Sequence, residues 1–142
     1  MIEIWDGQTD LRPLAEAWAK ECTGDYDIEQ GMRDLTSLRE CVNSDVFVLK
    51  EQGEVVEVVG AMGIQILDMF FTKDCYSAVR YWYILPKFRY KADRLIRFAQ
   101  KWSREIACAK MMICSNKLSI PCDDFYKSMG FEEFETVYIG DV

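Results

Sequence analysis

The sequence predicts a mixed α/β domain: a twisted, mostly antiparallel sheet flanked by helices, in the order β-α-α-β-β-β-α-β-α-β. Three observations carry this prediction. Apolar residues at helical spacing mark consecutive amphipathic helices near the N-terminus, β-branched and aromatic runs follow, and Gly and Pro punctuate the segments. At 142 residues the chain has the size of one domain with a substantial core, and no repeat or linker divides residues 1–142.

Residues 2–5 (IEIW) read as an opening strand. Thr9 or Asp10 caps a helix over 10–22, with Leu11, Leu14, Ala15 and Trp18 on one face, Pro13 in the first turn and Gly24 beyond its end. After the acidic stretch DYDIEQG, Met32, Leu35, Leu38 and Val42 keep a helical stripe over 31–42. DVFVLK (45–50) is a strand and EQG a turn. EVVEVVGAMGIQILD (54–68) is a long strand interrupted around Gly60 and Gly63, where a bulge or a close backbone approach is expected.

SAVRYWYIL (77–85) is a third strand, closed by Pro86. Leu95, Phe98, Ala99, Trp102 and Ile106 then define a helix over 91–108. KMMICS reads as a buried strand, DDFYKSMG as a short helix closed by Gly130, and FEEFETVYIG as a final strand. The β-α-β passage around 77–114 implies a right-handed parallel crossover.

Composition excludes several classes. Hydrophobic residues make up 50% and charged residues 29%, a globular mixture. The start MIEIWDGQTD is acidic and lacks a basic-then-apolar leader, and no apolar run approaches the roughly 18 residues of a membrane span, so a cytoplasmic protein is expected. With no histidine, Ser-His-Asp and Cys-His mechanisms are out. The six cysteines have no C-x-x-C spacing and read as buried free thiols, with no metal site expected.

The net charge of -7 is uneven. Residues 1–75 carry 16 acids against 6 bases, whereas residues 87–104 hold seven bases and one acid. The acidic half argues against nucleic acid as a partner, while the basic segment suits a compact polyanion as well as an ordinary solvated helix face.

The informative segment is YWYILPKFRYKADRLI, residues 81–96, where a hydrophobic strand runs through proline into a basic turn and an amphipathic helix. Unpaired N–H groups and the helix dipole make such a helix start suited to phosphate, and Arg89, Lys91 and Arg94 add charge-assisted donors. Neither a Walker A loop nor a G-x-G-x-x-G fingerprint is present.

Pro86-Lys-Phe-Arg89-Tyr-Lys-Ala92-Asp-Arg94 resembles the P-x-x-[QR]-x-x-G-x-[GA] pattern that follows the fourth strand of GNAT N-acetyltransferases. Tyr126-Lys-Ser-Met-Gly130-Phe131 resembles their later Y-x-x-x-G-F segment. The resemblance implies a GNAT-like fold and acetyl-coenzyme A as cofactor. It implies a pyrophosphate-binding turn made of Arg89, Tyr90, Lys91, Ala92, Asp93 and Arg94, with Ile84 beside the pantetheine arm and Asn116 as a further cofactor contact. Ala92 and Arg94 stand where small residues are usual; Arg94 either swings out to grip phosphate or blocks the turn.

The same resemblance implies direct acetyl transfer to an amine, with Tyr126 protonating the leaving thiolate and a backbone N–H near Ile84 serving the carbonyl oxygen. The position of a familiar catalytic glutamate falls on Ala78, so Asp68, at the end of the preceding strand, is the candidate base. Asp25, Tyr26, Asp27 and Glu29 border the expected acceptor entrance and suit a cationic amine, a small molecule or a peptide. No membrane partner is expected, and VYIGDV offers a face for a homodimer. Two other readings stand beside this one: a GNAT-like protein without catalysis, and an unrelated α/β module that binds a phosphate-bearing partner.

Overall fold

The computed structural model describes residues 1–68, 73–115 and 120–142. Its order is β1 (Ile2–Ile4), α1 (Arg12–Glu21), α2 (Ile28–Glu40), β2 (Ser44–Glu51), β3 (Glu57–Asp68) and β4 (Cys75–Ile84). A 3-10 helix (Pro86–Lys91) then leads into α3 (Ala92–Glu105), β5 (Lys110–Met112) and α4 (Asp123–Ser128). The five strands lie in sequence order; β1 to β4 pair antiparallel and β4 pairs parallel with β5. The mixed, mostly antiparallel fold expected from the sequence is therefore the one observed.

Alternation along the strands builds two cores. Phe47, Leu49, Met62, Ile64 and Ile84 face Leu95, Ile96 and Ala99 of α3. Val46, Val48, Ala61 and Tyr83 pack in one cluster with Trp5, Leu11, Leu14 and Leu35 of α2. Each fully buried aliphatic side chain here is worth roughly 1.5–3 kcal/mol.

The starts of the first two helices each engage an acid. Asp10 Oδ1 accepts from Arg12 N–H at 2.9 Å, so it caps α1 from just outside. Asp27 is the N-cap of α2 and accepts from Gln30 N–H at 3.1 Å, which moves the start of α2 three residues ahead of the expected one.

Both interruptions expected in β3 are real. Its register slips against β2 beside Gly60 and against β4 between Gly63 and Ile64. At Gly60 the reason is close approach, since a Cβ there would lie 2.9 Å from Ile84 Cγ1 and 3.2 Å from Tyr83 O.

One expected element is corrected. Residues 131–140 form no strand, and Phe134, Val137, Tyr138 and Ile139 are exposed. Their β-branched and aromatic composition favours extended chain, but a strand also needs an edge to pair with, and β5 offers only three residues. The cysteine reading also changes: no thiol is fully buried, and Cys41 and Cys114 are exposed.

α3 ends in a Schellman turn: Cys108 N–H reaches Ser103 O at 2.9 Å and Ala107 N–H reaches Arg104 O at 3.0 Å. Ala107 takes the left-handed position with φ 60°, where glycine is usual. Ala107→Gly is therefore expected to raise unfolding stability by about 1 kcal/mol, read as a higher midpoint in urea at unchanged slope.

Candidate active site

The site is built on β4. Its pairing with β5 runs only from Tyr76 to Ala78, against Lys110 to Met112. Just beyond, Gly63 pairs with Tyr81 and Ile64 with Val79, which leaves Arg80 as an extra residue that bends the strand. From there to Ile84, β4 has no β5 partner. Leu85 N–H donates to Val59 O at 2.9 Å, so by antiparallel alternation Ile84 and Trp82 turn their backbone groups away from β3 towards the uncovered edge. β4 and β5 thus begin paired and then part, leaving a slot with backbone polar groups along one wall.

Tyr126, on α4, spans that slot. Its Oη accepts from Trp82 Nε1–H at 2.8 Å and donates to Cys114 O at 3.1 Å, tying β4 to the segment after β5. The side chain is buried among Trp82, Phe125 and Phe131. Burial pushes its phenol well above the usual tyrosine value, against the opposing effect of the Trp82 N–H. Tyr126 is therefore a neutral, proton-bearing group at neutral pH.

At the head of the slot the sequence expectation needs correcting. The turn is not an open loop of free amides but a 3-10 helix continuous with α3; at its two ends Phe88 N–H reaches Leu85 O and Ala92 N–H reaches Arg89 O. Ala92 is buried and right-handed, with φ -59°, so its methyl group is accommodated without strain. Arg94 is exposed on the first turn of α3 and does not fill the turn. Tyr90 is exposed too, with the Lys91 ammonium near its ring. Asp93 faces Arg97 at 4.0 Å.

The two other cations are engaged. Lys91 pairs with Glu51. Arg89 donates through Nε to Ile84 O at 3.2 Å and through a terminal nitrogen to Glu21 at 2.6 Å, and it lies over the Tyr83 ring. Tyr83 Oη also donates to Glu21. Burial alone would raise Glu21, but the Arg89 guanidinium and the Tyr83 hydroxyl outweigh it and hold the carboxyl below its usual range. This cluster latches the end of α1 to the end of β4 and to the basic turn.

The structure does not bring Asp68 together with this set. It is exposed opposite Cys75, at the far end of β3. It is five residues from the bulge at Arg80, or about 16 Å of strand. Asn116 lies outside the described residues. In the α1–α2 connection Asp27 is occupied as a cap, Glu29 pairs with Arg12, and Tyr26 packs on Trp18 with ring centroids 4.2 Å apart. Only Asp25 of that acidic group is an exposed acid without one of these roles.

Trp82, Glu21 and Tyr83 are the contributors that sequence reasoning missed. Trp82 shares a face with Ile84 by simple alternation, which is a usable signal. The pairing of Glu21 with Arg89 across 68 positions left none.

A sheet whose fourth and fifth strands pair parallel and then separate, with a helix starting at the head of the gap, defines the GNAT fold class. The chain belongs to the acetyltransferase (GNAT) family, whose sequence model matches residues 12–131. Among solved structures it is similar to ribosomal-protein-alanine N-acetyltransferase from Brucella melitensis biovar Abortus 2308, at TM-score 0.76 and 16% identity, covering 100% of this chain and 98% of that one. It is also similar to an aminoglycoside 6'-N-acetyltransferase from Acinetobacter baumannii, at TM-score 0.72 and 12% identity over 100% and 97% of the chains. Glucosamine-6-phosphate N-acetyltransferase from Arabidopsis thaliana aligns at TM-score 0.73 and 14% identity, again over 100% and 97%. No curated protein matches the sequence significantly. Among the described residues, no helix is long and apolar enough to cross a membrane.

Proposed function

We propose that this protein transfers an acetyl group from acetyl-coenzyme A directly to an amine. The observation that carries the reading is the parting of β4 from β5, with Ile84 and Trp82 presenting backbone groups along one wall and Tyr126 spanning the gap. An extended pantetheine arm supplies amides that pair with such an edge as a further strand would. The Ile84 N–H then serves the thioester oxygen. Family membership and the N-acetyltransferase neighbours support the class of reaction.

Tyr126 is the proposed acid. Its proton turns from Cys114 O to the departing sulfur, and the Trp82 N–H stabilises the phenolate left behind. Asp68 stands too far along the sheet to serve as base without a chain of waters, so the amine is taken to lose its proton to solvent before attack. At the basic turn, Arg94 and Lys87 are the exposed cations available to phosphate, while Arg89 and Lys91 must leave their carboxylates to join them. Arg94→Ala is accordingly expected to weaken acetyl-coenzyme A binding roughly 3- to 10-fold at low ionic strength and less at higher salt, by titration calorimetry.

The acceptor is read as a cationic small molecule or peptide amine drawn by the acidic N-terminal half, with nucleic acid and membrane outside its partners and a cytoplasmic location. The test is a panel of amines screened for release of free coenzyme A thiol. Amine-dependent release supports transfer. The closed 3-10 turn and the engaged Arg89 and Lys91 favour a second reading, a GNAT protein that binds without catalysis; acetyl-coenzyme A binding with no release across the panel would favour it.

A further inference from the structure

Away from the slot, at the root of the β4–β5 pairing, two thiols face each other. Cys75 opens β4, and Cys108 follows the left-handed Ala107 in the turn that ends α3. Their sulfurs lie 3.3 Å apart. The chain places them by two independent constraints. The Schellman turn fixes Cys108 through its N–H to Ser103 O, and Ala109 N–H reaches Cys75 O at 3.2 Å, which sets the two backbones side by side. With the two backbones held side by side in this way, the sulfurs are already in contact, and closing the 3.3 Å gap to a bond asks for only a small side-chain adjustment.

Both thiols are partly exposed, and Cys108 lines an open surface hollow of about 230 Å³ with Gln100, Arg104 and Lys110, through which a small oxidant can enter. We propose that Cys75 and Cys108 are a modification site: a dithiol that a hydroperoxide converts into a reversible intramolecular disulfide. In the first step Cys75 Sγ attacks the hydroperoxide, the O–O bond breaks, and a sulfenic acid forms as the alcohol leaves. In the second, Cys108 Sγ attacks that sulfur, the S–S bond forms and water departs with the Cys108 proton. Two thiols and one hydroperoxide thus give one disulfide, one alcohol and one water. Burial, with Cys75 beside it, pushes the Cys108 thiol up to about 11, which makes it slow towards reagents in solution; what brings it into the second step is its contact with the Cys75 sulfur at 3.3 Å.

The crosslink would join residues 33 apart in sequence and pin β5 to β4 where their pairing begins. The inference does not depend on acetyl transfer, and its test does not use activity. The folded chain is treated with hydrogen peroxide, its remaining thiols are alkylated, and the digest is mapped without reduction. The expected result is a Cys75–Cys108 crosslinked peptide pair that dithiothreitol releases, together with a rise in Tm of roughly 5–15 °C. In Cys108→Ser both the crosslink and the rise should vanish. Peroxide-treated wild-type chain in which Cys75 and Cys108 stay alkylatable would overturn the proposal. So would separate sulfinic acids at the two positions, or pairing of either one with Cys41 or Cys114 instead.

Discussion

Tyr126→Phe is expected to lower turnover roughly 10- to 1000-fold while leaving acetyl-coenzyme A affinity nearly unchanged. The ring stays, so the packing against Trp82, Phe125 and Phe131 is kept, and only the transferable proton is lost. The hydroxyl also joins two walls of the slot, accepting from Trp82 and donating to Cys114 O, so its removal leaves a partly buried donor and acceptor unpaired. A stability loss of about 1–3 kcal/mol should accompany the kinetic effect. The two roles separate cleanly in measurement. A tyrosine that only braces the slot would move the urea midpoint and leave turnover of the folded fraction near the wild-type value.

The second large effect is expected at Gly60, which the site needs for space. Gly60→Val places side-chain carbon where Ile84 Cγ1 and the Tyr83 carbonyl already stand, at 2.9 Å and 3.2 Å from the new Cβ. Ile84 can shift by rotation, but the carbonyl is backbone and moves only with β4. Overpacking of this kind costs about 1–3 kcal/mol. Because Ile84 lines the head of the slot, acetyl-coenzyme A affinity should fall by roughly 10-fold or more. Unfolding in urea and titration calorimetry on the same preparation check both halves. Unaltered affinity in a destabilised but folded variant would remove Ile84 from the binding wall.

What the sequence made legible was periodicity and short-range grammar. The strand over residues 77–85 and the helix after it follow from residue spacing alone, and Gly60 and Gly63 marked the two register slips of β3. The cap at Asp27 was equally legible, since an acid followed three residues later by glutamine signals a helix start, yet its charge invited a functional reading instead. Residues 131–140 show the limit of propensity: Val137, Tyr138 and Ile139 favour an extended chain, but pairing depends on an edge that no local window reveals. Arg89 and Lys91 show the same limit for charge. Their partners Glu21 and Glu51 stand far off in sequence, so a run read as free phosphate donors is partly bound to carboxylates of its own chain.

The central claim is that the parted strands and the basic turn form a site for acetyl-coenzyme A. Titration calorimetry of the folded chain with acetyl-coenzyme A at low ionic strength tests it most directly, because it needs no acceptor. The predicted result is saturable binding at about one site per chain, weakening as salt rises and screens Arg94 and Lys87. Absence of binding by the folded chain at low salt would contradict the account, whatever amines are later tried.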